Sequence, residues 1–235
     1  MDDTITSSPF LDTKVSTIED DSLGSKFNIL LGLKSGTGNP KVLSLLSSIL
    51  QKSVESNESW LQTTHTKDIP TIFHGSRAPA LTIQQYIDRI FKYSRCSPSC
   101  FVVAHIYIDR LIESENIILT SLNVHRLLIT SIMLATKFID EAFFNNAYYA
   151  RVGGVTTSEM NRLEMKFLFG IDFQLYVNLS TFERYCLELM SETTGEVIQI
   201  EGPLHSIHDV RGLKDKWSNN KIDTSYHATI GVHIH

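Results

Sequence analysis

Wherever apolar side chains cluster in this chain, they recur at helical rather than alternating spacing. From Thr82 onward Ile83, Tyr86, Ile87, Ile90 and Phe91 follow one another at alternating intervals of three and one, which predicts a helix with one apolar face. Thr82 with Gln85 supplies a capping box for its start. Ser97 and Pro98 open a second helix to about Ser114, and Asn123 a third to about Ile139. Both are apolar on nearly every side, the pattern of helices at the centre of a bundle. A short helical segment from Asn145 to Val152 ends at Gly153-Gly154, and Thr156 with Glu159 makes a second capping box for a helix that ends at Gly170. Ser180 with Glu183 makes a third box, opening a last helix to about Glu192.

Upstream, Phe27 to Leu31 form a short apolar run, followed by a Gly-rich break at residues 32–40. Asn39 as N-cap and Pro40 in the first turn then predict a helix with Val42, Leu45, Leu46, Ile49, Leu50 and Val54 on one stripe. Residues 56–81, with Ser, Thr, Asn and two prolines, read as an irregular connection. The expected fold is therefore all-α. Residues 1–40 form a mostly disordered N-terminal segment, 41–79 a docking helix and its connection, 80–194 the helical domain, and 195–235 a weakly ordered tail.

Composition narrows the function classes. A chain of 235 residues with 42% apolar and 20% charged residues suits one ordinary soluble core. No apolar stretch is long enough to span a membrane, and Met1 to Asp12 show no secretory pattern, so an intracellular protein of the nucleus and/or cytoplasm is expected. An odd count of 3 cysteines fits free thiols in a reducing compartment. With 21 basic against 26 acidic residues the net charge is -5, which argues against a nucleic-acid partner and for a protein one.

One position breaks the apolar pattern. The stripe Met160, Leu163, Glu164, Phe167, Leu168, Ile171 carries a carboxylate, which needs an edge position, a cation or an external partner. Lys137, at the end of the apolar run from Leu127 to Ala135, is the cation the pattern offers; by itself the pair equally fits a solvated surface ion pair. Cys96 and Cys100 lack a second Cys/His pair at metal-ligand spacing, and the five tail histidines (His205, His208, His227, His233, His235) read as solvated tail. The segment GLKSGTGNPK lacks the ending of a phosphate-binding loop, since Asn39 follows Gly38. His105 and His125 sit on apolar helices with no nucleophile placed beside them. No catalytic residue, metal, cofactor or small-molecule substrate is expected.

The segments CFVVAHIYIDRL (100–111), MLATKFIDE (133–141) and NRLEMKFLFGIDFQL (161–175) resemble helices two, three and five of a cyclin box. Residues 73–110 are similar to the plant P-type or U-type cyclins, relatives of the yeast phosphate-pathway cyclin, and the similarity extends to PKVLSLLSSIL upstream and GLKDKWSNNK in the tail. The resemblance implies a single five-helix cyclin box with an additional N-terminal helix, acting as a regulatory subunit that binds and activates a cyclin-dependent protein kinase in cell-division control or phosphate signalling. It implies kinase-facing roles for Lys137 and Glu164, and a groove at Leu134, Phe138, Leu168, Phe173 and Leu175 for the kinase's regulatory helix. RAPALTIQ at Arg77 to Gln84 departs from the substrate-docking motif of mitotic cyclins, and a second box is missing. The competing readings are a cyclin-box adaptor in transcription and a helical scaffold without a kinase.

Overall fold

A chain whose apolar residues repeat every three to four positions can bury them only by stacking helices. The computed structural model does so with eight helices and no strand among the described residues, 24–32 and 38–194. They are α1 (residues 24–30), α2 (Lys41–Thr64), α3 (Ile83–Ser94), α4 (Ser99–Glu115), α5 (Val124–Ile139), α6 (Asn146–Gly153), α7 (Thr157–Gly170) and α8 (Leu179–Thr194). The expectations for residues 1–23, 33–37 and 195–235, including the histidine-bearing tail, lie outside the described residues.

Helices α4 and α5 are the centre, because both are apolar around most of their circumference and need neighbours on every side. Helices α2, α7 and α8 pack on α4, while α3, α6 and α7 pack on α5. Buried Thr130, Ser131 and Thr136 of α5 turn their hydroxyls onto carbonyls of Arg126, Leu128 and Ile132, so the helix carries polar side chains inside without unmet donors. The carboxylate of Asp140, just past α5, accepts from the Ser97 amide at 2.9 Å and its hydroxyl at 2.7 Å, tying the end of α5 to the start of α4.

Several ends differ from the sequence reading. Helix α2 continues to Thr64 instead of giving way near residue 56, because Asn57 donates to the Leu119 carbonyl and Glu58 accepts from the Ser121 amide. Those tertiary bonds outweigh the weak helical preference of ESNES at 55–59. Asn39 does not cap α2; its amide reaches Asp88 instead. Residues 24–26, read as part of the polar tail, are helical. Asn178, not Ser180, caps α8 by accepting from the Thr181 amide at 2.8 Å. The Thr82–Gln85 box has both arms, whereas Thr156 accepts from Glu159 but Glu159 spends its carboxylate on Arg126. The connection between α2 and α3 is pinned by fully buried Phe73, edge-on to Phe167 with ring centroids 5.9 Å apart, and by His74 against Asp68 at 2.9 Å.

Gly170 is the last residue of α7 and not a left-handed cap. A Cβ there would lie 2.3 Å from Leu111 Cδ1, and Leu111 is itself fully buried on α4, so glycine is what lets the two helices touch. Gly170→Ala gains helix propensity of about 1 kcal/mol but overpacks the contact by about 1–3 kcal/mol. The melting temperature is therefore expected to fall, by up to roughly 8 °C, checked by thermal denaturation; a rise would show that Leu111 yields freely.

His125 is buried, with Nε2–H donating to the Leu81 carbonyl at 2.9 Å, and burial lowers its pKa below the ordinary 6.5. The unfolded chain then binds the extra proton first. This stability is present above 6.5 and is lost as pH falls through that value towards the lower folded one. His125→Gln, whose Nε2 can keep the bond to Leu81, should flatten the fall in melting temperature between pH 7 and pH 5 (about the window of a shifted imidazole). Parallel curves for the two proteins would remove His125 as the cause.

Candidate functional site

Lys137 lies in the last turn of α5, where the helix emerges from the core, and Glu164 is in the middle of α7. Packing of α5 against α7 brings them together: Lys137 Nζ lies 2.6 Å from Glu164 Oε1. The lysine side chain is 25% exposed and the glutamate 16%, so both charges are partly withdrawn from water. Asn146, the first residue of α6, completes the arrangement by accepting from Lys137 Nζ through Oδ1 and donating to Glu164 Oε2 through Nδ2. The same amide reaches Asn161 Oδ1 at 2.8 Å. The carboxylate on the apolar stripe is thus met by an ammonium group and an amide, which offsets its desolvation. Sequence reasoning missed Asn146 and Asn161; the signals were Asn161 one turn before Glu164 and an asparagine at the start of a helix with its cap role already taken by Asn145.

The apolar positions do not share one environment. Leu134 is 3% exposed and belongs to the core beneath the surface, while Phe138 is 48% and Phe173 51% exposed. Leu168 and Leu175 are half-buried and pack against the core. Ile139, Phe143, Met165 and Phe169 are exposed as well, and Phe169 packs edge-on against Phe173 with ring centroids 5.2 Å apart. These large exposed side chains lie on α5, on α7 and in the segments that follow them.

The end of α7 shapes part of that surface. The Asp172 amide donates to the Phe169 carbonyl and the Phe173 amide to the Leu168 carbonyl, the two bonds of a Schellman ending. The left-handed position falls on Asp172, φ 51°, and is followed by Phe173 at φ 55°. Neither is glycine, and a left-handed conformation costs such residues about 1–2 kcal/mol each. Strain of this kind persists only where surrounding bonds impose it, and it gathers at functional sites.

Other candidates stay outside this region. Cys96 and Cys100 are buried free thiols; Cys100 is pushed up by its bond with Cys96 and by burial, and Cys96 is drawn down by the same bond. His105 is buried and faces Tyr185 and Asp109. Among the described residues no group of three or more His, Cys, Asp or Glu side chains is placed to hold a metal, and no helix is long and apolar enough to cross a membrane.

Comparison with known proteins follows the same residues. The cyclin family model matches residues 41–175, a span that begins with α2 and ends with Leu175. Cyclin-P3-1 of Oryza sativa subsp. japonica is 54% identical over 192 residues, covering 82% of this chain and 80% of the relative. Cyclin-U3-1 of Arabidopsis thaliana is 48% identical over 185 residues (79% and 82%), and Cyclin-U4-1 of the same plant 49% identical over 155 (66% and 77%).

The geometry bears on stability before any partner arrives. A double-mutant cycle of Lys137→Ala and Glu164→Ala in urea should give a coupling of about 1 kcal/mol, smaller again in an Asn146→Ala background. A coupling above roughly 3 kcal/mol would identify the pair as a structural staple instead.

Proposed function

Because the chain belongs to the cyclin family, we propose that it is a regulatory subunit that binds and activates a cyclin-dependent serine/threonine protein kinase. Members of that family are regulatory proteins that characteristically partner such kinases. The observation that carries the reading is the Lys137–Glu164 pair, 2.6 Å apart, with exposed Phe138 adjoining Lys137 on the chain. An ion pair held only partly in water, with the half-exposed ring of Phe138 following Lys137 in the chain, offers both a polar register and an apolar anchor to an incoming helix.

The mechanism follows from what such a surface does to a mobile element. A kinase needs its regulatory helix rotated inward so that its own lysine–glutamate pair and activation loop are correctly placed. Burial of one face of that helix against Phe138, Leu168, Phe173 and Leu175 would favour the inward state, and only the difference in affinity between the two states shifts the balance. The chain contributes binding energy and no reacting group. The setting we assign is cell-division control or phosphate signalling, inside the cell, in the nucleus and/or cytoplasm; three buried unbridged cysteines agree with a reducing compartment.

The test is retention of a cyclin-dependent kinase catalytic subunit by the full chain, followed by its phosphorylation rate with and without the chain. The wild type is expected to retain and stimulate the kinase. Lys137→Ala with Glu164→Ala should weaken binding by about two orders of magnitude while circular dichroism shows unchanged helicity. Unchanged binding removes those residues from the interface. Steeply salt-dependent association with nucleic acid and no kinase would favour the transcription adaptor, and no kinase and no nucleic acid would favour the scaffold.

A further inference from the structure

Tyr107 and Arg110 of α4 take no part in the Lys137–Glu164 network, yet both reach the chain that leaves α7. The Tyr107 hydroxyl donates to the Leu175 carbonyl at 2.7 Å, and Arg110 donates to the carbonyls of Gln174 and, at 3.1 Å, Tyr176. These are three successive carbonyls in a stretch that belongs to no helix. The amides of the same stretch bond inward, Gln174 to Ile171 and Leu175 to Phe173. Every carbonyl from Gln174 to Tyr176 is therefore met from α4 by a side chain.

The two donors also brace each other, since the Arg110 guanidinium lies over the Tyr107 ring, 5.9 Å from its centroid. Tyr107 is fully buried, and burial pushes its phenol above the ordinary range, so it stays a neutral donor. What they hold is the turn with two left-handed non-glycine residues, Asp172 and Phe173, whose second member stands out into water. A strained exposed turn that served only to join α7 to α8 would be relieved by glycine or by relaxation; here a buried tyrosine and a stacked arginine keep it in place.

We propose that Tyr107 and Arg110 are positioning residues: they hold residues 172–176 of the free chain in the shape in which Phe173 and Leu175 meet the kinase. The proposal rests on the kinase-binding reading above. Its physical content is preorganisation. A turn already ordered before contact does not lose backbone freedom on binding, whereas one released from α4 must be ordered again at the expense of affinity.

The experiment uses the full chain and the kinase catalytic subunit that the wild type retains. Tyr107→Phe and Arg110→Gln should each weaken affinity by about three- to tenfold and speed amide hydrogen exchange at residues 173–177 in the free chain, a readout that needs no kinase. Arg110→Lys, which keeps the charge but loses the two-pronged reach, should fall between wild type and Arg110→Gln. In a Phe173→Ala background the affinity loss from Arg110→Gln should shrink to the part carried by Leu175 while its effect on melting temperature remains. Unchanged affinity with a lowered melting temperature, unchanged exchange at 173–177, or an affinity loss that persists in full without Phe173, would each overturn the proposal and leave the clamp a merely structural one. If Phe173→Ala itself binds as wild type, the turn is not kinase-facing and the proposal falls; weakened binding by Lys137→Ala in the same assay would show that the kinase reading survives it.

Discussion

Two helices that are apolar on almost every side, α4 and α5, cannot exist alone in water, and the arrangement of α2, α3, α6, α7 and α8 answers to that constraint. Covering α4 takes α2, α7 and α8; covering α5 takes α3, α6 and α7. Close approach is bought at single positions, as at Gly170, where the absent side chain leaves room for Leu111. The interior remains tolerant of hydroxyls because Thr130, Ser131 and Thr136 bond back along their own helix.

The chemistry collects where the two central helices come to the surface. At the end of α5 stand Lys137, Phe138 and Asp140; near the end of α4 stands Arg110. Each is polar or exposed because the surrounding shell stops there, and the three polar ones each take a partner from a different element: Lys137 takes Glu164 on α7, Asp140 takes Ser97 before α4, and Arg110 takes the carbonyls after α7. A regulatory surface built at such ends is stiff, since its residues hang from the most deeply buried part of the fold. For the kinase-binding role proposed above, stiffness would have a direct use: a surface that yielded would follow the partner's helix instead of moving it.

Within that surface the ion pair and the left-handed turn do different work. Lys137, Glu164 and Asn146 satisfy one another, so removing a partner exposes a charge that was partly desolvated. The turn at Asp172 and Phe173 is instead held against its own preference and presents an aromatic ring at a set angle beside Phe169. One contributes register, the other shape.

The all-helical class, the order of the helices and most of their starts were legible along the chain, because 3.6-residue periodicity and local capping are properties of a few neighbouring residues: the Thr82–Gln85 box stands as read. The apolar pattern also marked Glu164 as out of place on an apolar stripe, and Lys137 as a cation within plausible reach. Features that depend on distant partners were set by the packing of the helices. Helix α2 runs to Thr64 through bonds to the 119–121 loop, Asn39 reaches Asp88 instead of capping, and Asn146 joins an ion pair formed by two other helices. The packing also separated Leu134, sunk in the core, from Phe138 and Phe173, which stand in water, although all three look alike in the sequence. Burial and long-range hydrogen bonding are set by what lies across the bundle, and no local pattern along the chain encodes which side chain will be found there.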